Sequence, residues 1–194
     1  MKNQSTVIEP QQVILNGWLT GIEHQVSPHF SLRQPNTKIE LLVVHNISLP
    51  PAQFGGPYIT DLFLGRLDAS ADAYFQTIAQ LKVSAHCLIR RDGQIIQYVS
   101  FDDNAWHAGV SSFKGREQCN NFSIGIELEG TDDIPYTDVQ YLQLAALVKK
   151  LQASYSFISH NNIVGHCDIA PGRKTDPGAV FDWQYFKQCL RLNK

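Results

Sequence analysis

Leu41-Leu42-Val43-Val44-His45-Asn46 runs four consecutive aliphatic residues into an imidazole and an amide. An apolar run without polar alternation marks a strand covered on both faces. Such a strand belongs to a sheet with further layers packed against it. Two other segments support that sheet. Ser123 to Leu128 reads as a second strand, ending an apolar run at Glu127, and Ile163-Val164-Gly165 reads as a short third. Val83 to Arg90 and Gln94 to Ser100 read as strands joined through Asp92-Gly93, a strong hairpin signal.

Helices fill the intervals. Ala71, Tyr74, Phe75, Ile78 and Leu81 recur at helical spacing, which predicts a helix over 71–81. Thr137 with Gln140 three residues later forms a capping box. Leu144, Val148 and Leu151 then line one face through about Tyr155. Asp182 can cap a last helix that turns Phe186, Cys189 and Leu190 inward. Residues 1–40 and 101–122 show little periodicity. The expected architecture is α/β: one domain over 1–194, with a central mixed sheet flanked by helices on both sides. Residues 1–16 are expected to form an N-terminal extension.

Composition narrows the function. The 194 residues carry 16 basic and 18 acidic side chains, a formal charge of -2, which excludes the basic face of a nucleic-acid binder. No apolar run approaches the ~18 residues of a membrane span. Met1 to Pro10 has one Lys and no apolar core, so it does not read as a secretory signal. Cys87, Cys119, Cys167 and Cys189 are widely spaced and form no C-x-x-C pair, as expected for reduced thiols. These features together predict a cytoplasmic protein, expected to be a monomer.

The chemistry concentrates in Val164 to Gly178, where His166, Lys174 and Asp176 sit on a run stiffened by Pro171, Gly172, Pro177 and Gly178. Two His and one Asp, with a fourth position open, make a catalytic zinc site. A lone His at a strand end is ordinarily structural, but the later His/Asp loop makes His45 a candidate ligand. Cys167 competes with His166, since neighbours on an extended chain point to opposite sides. Asp168 competes with Asp176. Lys174 could stabilise a developing oxyanion. Glu127 and Glu129 share one face of their strand, and either could serve as general base. No H-E-x-x-H helix exists, so a zinc peptidase of that type is disfavoured.

These residues lie in the blocks LLVVHNISLPPAQFGGPYI, VSAHCLIRRDGQIIQYV, AWHAGVSSF, NNFSIGIELEGTD and VGHCDIAPGRKTDPG. With those blocks in that order, over roughly residues 17–186, the chain resembles the family 2 N-acetylmuramoyl-L-alanine amidases. The resemblance implies zinc (Zn2+) held by His45, His166 and Asp176, with Glu127 and Lys174 acting on the scissile amide. It implies an anhydro-muramyl peptide substrate, cut between the lactyl group and L-alanine during cell-wall recycling. Asn46, Trp106 and His107 fall in blocks that border the family's substrate groove. His86 is expected to be structural. Family members often carry arginines that could pair with peptide carboxylates where this chain has Lys82 and Gln118. Lys82 or Arg116 is the expected substitute, although a lysine lacks the bidentate fork. The alternative from another class is a non-catalytic muropeptide-binding module.

Overall fold

The computed structural model describes residues 12–192. Six strands make the central sheet: β1 (Glu23–His24), β2 (Leu41–Ile47), β3 (Cys87–Ile89), β4 (Ile95–Gln97), β5 (Ser123–Glu129) and β6 (Ile163–Gly165). Their order is β6-β2-β5-β3-β4-β1. Every neighbouring pair is parallel except the antiparallel β3–β4 hairpin. The helices are α1 (Tyr58–Phe63), α2 (Phe75–Ile78), α3 (Asp138–Ser154), α4 (His166–Ile169) and α5 (Trp183–Leu192). The mixed sheet and its flanking helices match the expected class.

The pleat sorts side chains between two layers. Leu42 and Val44 of β2, with Ile124, Ile126 and Leu128 of β5, enter one core. There they meet Leu144, Val148 and Leu151 of α3 and Phe186, Cys189 and Leu190 of α5. The opposite face carries Leu41 and Val43 against Phe122 and Ile169, and Leu88 and Ile96 against α1 and Phe75. Complete burial of Leu41 through Val44 is what a strand covered on both faces requires.

Local signals act as their chemistry dictates. Thr137 Oγ1 accepts from Gln140 N at 3.3 Å, and Thr137 N donates to Gln140 Oε1 at 3.1 Å. The Gln140 amide then donates to the carbonyls of Ile89 and Glu129, tying the start of α3 to two strands. Asp182 Oδ1 accepts from Tyr185 N at 2.8 Å at the start of α5. The hairpin turns at Gly93, whose φ of 88° lies in the left-handed region that glycine enters freely. All four cysteines are free thiols.

Three expectations need correction. The helix over 71–81 contracts to Phe75–Ile78. Asp72 Oδ1 accepts from Tyr74 N at 2.8 Å, a local bond that diverts the backbone into a turn. The strands over 83–90 and 94–100 shorten to three residues each, because flanking groups bond elsewhere: Ser84 N donates to Trp106 O and Ser27 N to Tyr98 O. The aperiodic stretches also hold short strands. Ile14–Leu15 pairs with Trp18–Leu19, Phe30–Leu32 pairs with Asp103–Ala105, and Ser112–Phe113 pairs with Arg116–Glu117. Two- and three-residue strands offer no period to read. Of the expected extension over 1–16, residues 1–11 lie outside the described residues, as does the whole segment Met1 to Pro10. Among the described residues, no helix is long and apolar enough to cross a membrane.

Candidate metal centre and active site

The site assembles at the carboxyl ends of three adjacent parallel strands, where open α/β sheets bind their ligands. Glu127 of β5 is in register with His45 of β2. Gly165 of β6 pairs with Val44, so His166, the next residue, opens α4 beside His45. Asp176 arrives on the loop that follows α4. That loop is pinned at several points. Cys167 N donates to Asp176 O, and Lys174 N to Ala170 O, each at 3.0 Å. Tyr136 Oη donates to Pro177 O at 2.7 Å. The Arg173 guanidinium donates to the carbonyls of Ala108 and Val110 at 2.7 and 2.6 Å.

His45 Nδ1, His166 Nδ1 and Asp176 Oδ2 lie 3.0 Å from one another in all three pairs. The outer nitrogens have acceptors of their own. His166 Nε2 lies 3.1 Å from Ala108 O, an acceptor for its proton when Nδ1 takes up a metal. His45 Nε2 faces His107 Nδ1 at 2.9 Å. Burial, above all, lowers the His45 pKa to about 4, so its ring is neutral at pH 7. Burial works to raise that of Asp176, but its bonds to His166 and His45 outweigh burial and hold the carboxyl below the usual carboxylate range.

Two imidazoles and a carboxylate, each offering one atom, form a group able to hold a metal ion. The donor types and spacing fit zinc. Ligands ~2.0–2.1 Å from a tetrahedral zinc are spaced about 3.3 Å apart.

Glu127 faces the same cleft. Its Oε2 is buried and has no hydrogen-bond partner among the described residues. Burial pushes its pKa well above the usual value, Asp176 adds to the rise, and Lys174 opposes it. Lys174, Asn46, Trp106 and His107 line this cavity of about 380 Å³ with the three candidate ligands. Ile47 to Leu49 border the cleft on one side and Trp106 and His107 on another.

The competing residues are spent elsewhere. Asp168 Oδ2 accepts from Gly165 N at 2.7 Å, and Cys167 stands outside the donor group. Glu129 accepts from Gly55 N at 2.7 Å and Arg91 N at 3.1 Å, with the Arg90 guanidinium 3.7 Å away. His86 is structural as expected: Nδ1 accepts from Gly125 N and Nε2 meets Asp103 O, each at 3.0 Å.

One expected substrate contact needs correction. Arg116 is not brought to the cleft. It is exposed, paired with Glu40 at 2.5 Å, and lies over the Phe122 ring at 3.9 Å. His107 lines the cleft, with its nitrogens facing His45 Nε2 and Ser123 Oγ. Lys82 is exposed between Leu81 and Val83, which do line the cleft. Asn46 Nδ2 donates to Asp132 Oδ1 at 2.8 Å, and Trp106 Nε1 to Ser31 Oγ at 3.3 Å. Sequence reasoning missed Tyr136 and Arg173 as anchors of the ligand loop. No local pattern marks them, because their partners are carbonyls 41 and 65 residues away.

A pair of imidazoles, an ionised carboxylate and an unpartnered acid around one cleft are the means of adding water across an acyl bond, and they put this protein among the hydrolases. More narrowly, the chain belongs to the N-acetylmuramoyl-L-alanine amidase family, which matches residues 35–179. It is 59% identical over 177 residues to the 1,6-anhydro-N-acetylmuramyl-L-alanine amidase AmpD of Salmonella typhimurium (strain SL1344), covering 91% of this chain and 94% of that one. Identity to the protein of the same name in Escherichia coli (strain K12) is 60% over 171 residues, covering 88% and 93%. A crystal structure of selenomethionine AmpD superimposes with a TM-score of 0.89 at 58% identity, covering 92% of this chain and 99% of that one. The Escherichia coli amidase AmiD, solved with anhydro-N-acetylmuramic acid-L-Ala-D-gamma-Glu-L-Lys, gives 0.57 at 30% identity, covering 92% and 65%.

Proposed function

We propose that this chain is a zinc-dependent amidase that cleaves anhydro-muramyl peptides between the lactyl group of the sugar and L-alanine. The observation that carries the reading is the unpartnered Glu127 Oε2, buried in the same cleft as the His45–His166–Asp176 donor triangle. A buried carboxylate oxygen without a donor is costly unless its partner arrives with the reaction. The substrate class is that of the relatives, which are named for the 1,6-anhydro sugar.

His45, His166 and Asp176 are the zinc ligands in this reading. Zinc held there supplies a Lewis acid and lowers the pKa of water from ~16 toward ~7. Glu127 Oε2 takes a proton from the attacking water and returns it to the departing L-alanine nitrogen. The nearby cation, Lys174, stabilises the negative charge that grows on the carbonyl oxygen. Trp106 and Asn46 border the space left for substrate, and Lys82 is the cation available to its peptide carboxylates. The chain works as one amidase domain and as a monomer. The compartment is the cytoplasm, where four unpaired thiols stay reduced.

The test is product analysis. Purified protein is incubated with an anhydro-muramyl tripeptide and the products are read by mass spectrometry. Free anhydro-sugar plus a peptide beginning in L-alanine is expected, lost on chelation and restored by zinc. Intact muropeptide bound without turnover, or a shortened peptide, overturns the reading.

A further inference from the structure

Behind His45 runs a second polar chain. His107 Nδ1 lies 2.9 Å from His45 Nε2, and His107 Nε2 lies 3.0 Å from Ser123 Oγ. Proton counting gives this chain two directions. With protons running outward, His45 Nε2–H donates to His107 Nδ1, and His107 Nε2–H donates to Ser123 Oγ. His45 Nδ1 is then a bare lone pair facing His166 and Asp176. With protons running inward, His107 donates to His45, and His45 must carry its own proton on Nδ1, where it blocks a metal. The choice of acceptor behind a ligating imidazole therefore sets its tautomer.

The fold makes room for this arrangement at one position. The His107 ring lies where a side chain at residue 125 would begin: a Cβ on Gly125 would fall within 2.7 Å of His107 Cδ2 and closer still to Cγ. Ser123 and Gly125 share a face of β5 with Glu127, as period-two alternation requires. One strand face thus supplies the relay's end, the space for its ring and the unpartnered carboxylate. The backbone of His107 is fixed as well, its N–H donating to Asn120 Oδ1 at 3.1 Å.

We infer that His107, terminated by Ser123 Oγ and seated on Gly125, is a positioning residue that holds His45 in the tautomer able to bind the metal. This rests on the reading of His45 as a metal ligand. His107 itself touches neither metal nor substrate through its nitrogens; it acts through His45.

The experiment measures zinc affinity, by competition with a chromogenic chelator, for the full chain and three variants. His107→Phe keeps an aromatic ring and removes both nitrogens; a loss of about 10–100-fold is expected, the usual effect of removing such a partner. His107→Asn restores an acceptor near the place of Nδ1 and should recover part of that loss. Ser123→Ala leaves the ring in place and removes only its far partner, so a smaller loss is expected in a chain that still folds. Nitrogen-15 spectra of the zinc-loaded wild type should show the His107 proton on Nε2, facing Ser123 Oγ. Tight zinc in both wild type and His107→Phe, or a His107 proton on Nδ1, overturns the inference alone. A folded wild type that takes up no stoichiometric zinc overturns the metal reading and this inference with it.

Discussion

Glu127 and Glu129 stand two residues apart on one strand and face the same way, yet their surroundings differ. Glu129 is buried and provided for: two backbone N–H groups donate to it and the Arg90 guanidinium sits 3.7 Å away. Glu127 is buried with one oxygen unpartnered, and its nearest named charges are Asp176, which destabilises its anion, and Lys174, which favours it. Burial costs both carboxylates hydration. At Glu129 the protein repays that cost itself and gains a clamp on the loop at Gly55. At Glu127 it leaves the cost standing, in the cleft that holds the donor triangle. A provided-for acid reads as architecture and an orphaned one as chemistry.

The largest expected effect tests that contrast directly. Glu127→Ala should bind zinc normally and lose about 10²–10⁴-fold in kcat, the usual worth of a general base. Glu129→Ala should keep most of its kcat. Steady-state kinetics beside a metal assay decides the matter, and a reversal of the two losses breaks the comparison.

Lys174 sharpens it next. Arg90 sits beside the paired Glu129, whereas Lys174 lines the cleft of Glu127 and the donor triangle. Lys174→Ala should lower kcat and kcat/KM together by ~10²–10³-fold with substrate affinity nearly unchanged. Weaker binding at normal kcat would instead make Lys174 an anchor for substrate carboxylates.

The smallest effects are in stability, and they should carry opposite signs. Glu129→Ala strips the acceptor from two N–H groups and should cost about 1–3 kcal/mol in urea unfolding. Glu127→Gln should stabilise the zinc-free protein at pH 7. The Glu127 carboxyl titrates well above its ordinary value when folded, chiefly from burial. Above about pH 4.3 the unfolded chain releases that proton and the folded chain keeps it. The folded state then binds more protons, so wild-type stability falls as pH rises through that window, and the glutamine variant escapes the loss. Below about pH 4 the two proteins should converge. Thermal unfolding at both pH values, with chelator present, checks it.

Much of this was legible in the chain. The aliphatic run at Leu41–Val44, the Asp92-Gly93 turn, the Thr137–Gln140 box and the Asp182 cap are local statements, and each formed where read. They are legible because burial periodicity, turn chemistry and capping act over a few residues. The types of the candidate ligands were legible for a similar reason: a proline- and glycine-bound loop carrying His, Lys and Asp has few uses. Short edge strands and the contracted helix at Phe75–Ile78 were not, since their bonds are settled by distant partners and by competing aspartate side chains.

Sequence alone determined which residue types could do the chemistry and on which strands and loop they sit. Only the tertiary structure decided among them. It gave Asp168 to a helix start and left Asp176 to the donor triangle. It paired Glu129 and orphaned Glu127, sent Arg116 to Glu40, and set His107 beside His45 in the cleft. The physical reason is one of range. A propensity is a property of neighbours in the chain. The fate of a buried polar atom depends on which partners, tens of residues away, the parallel register of β6, β2 and β5 brings within about 3 Å of it.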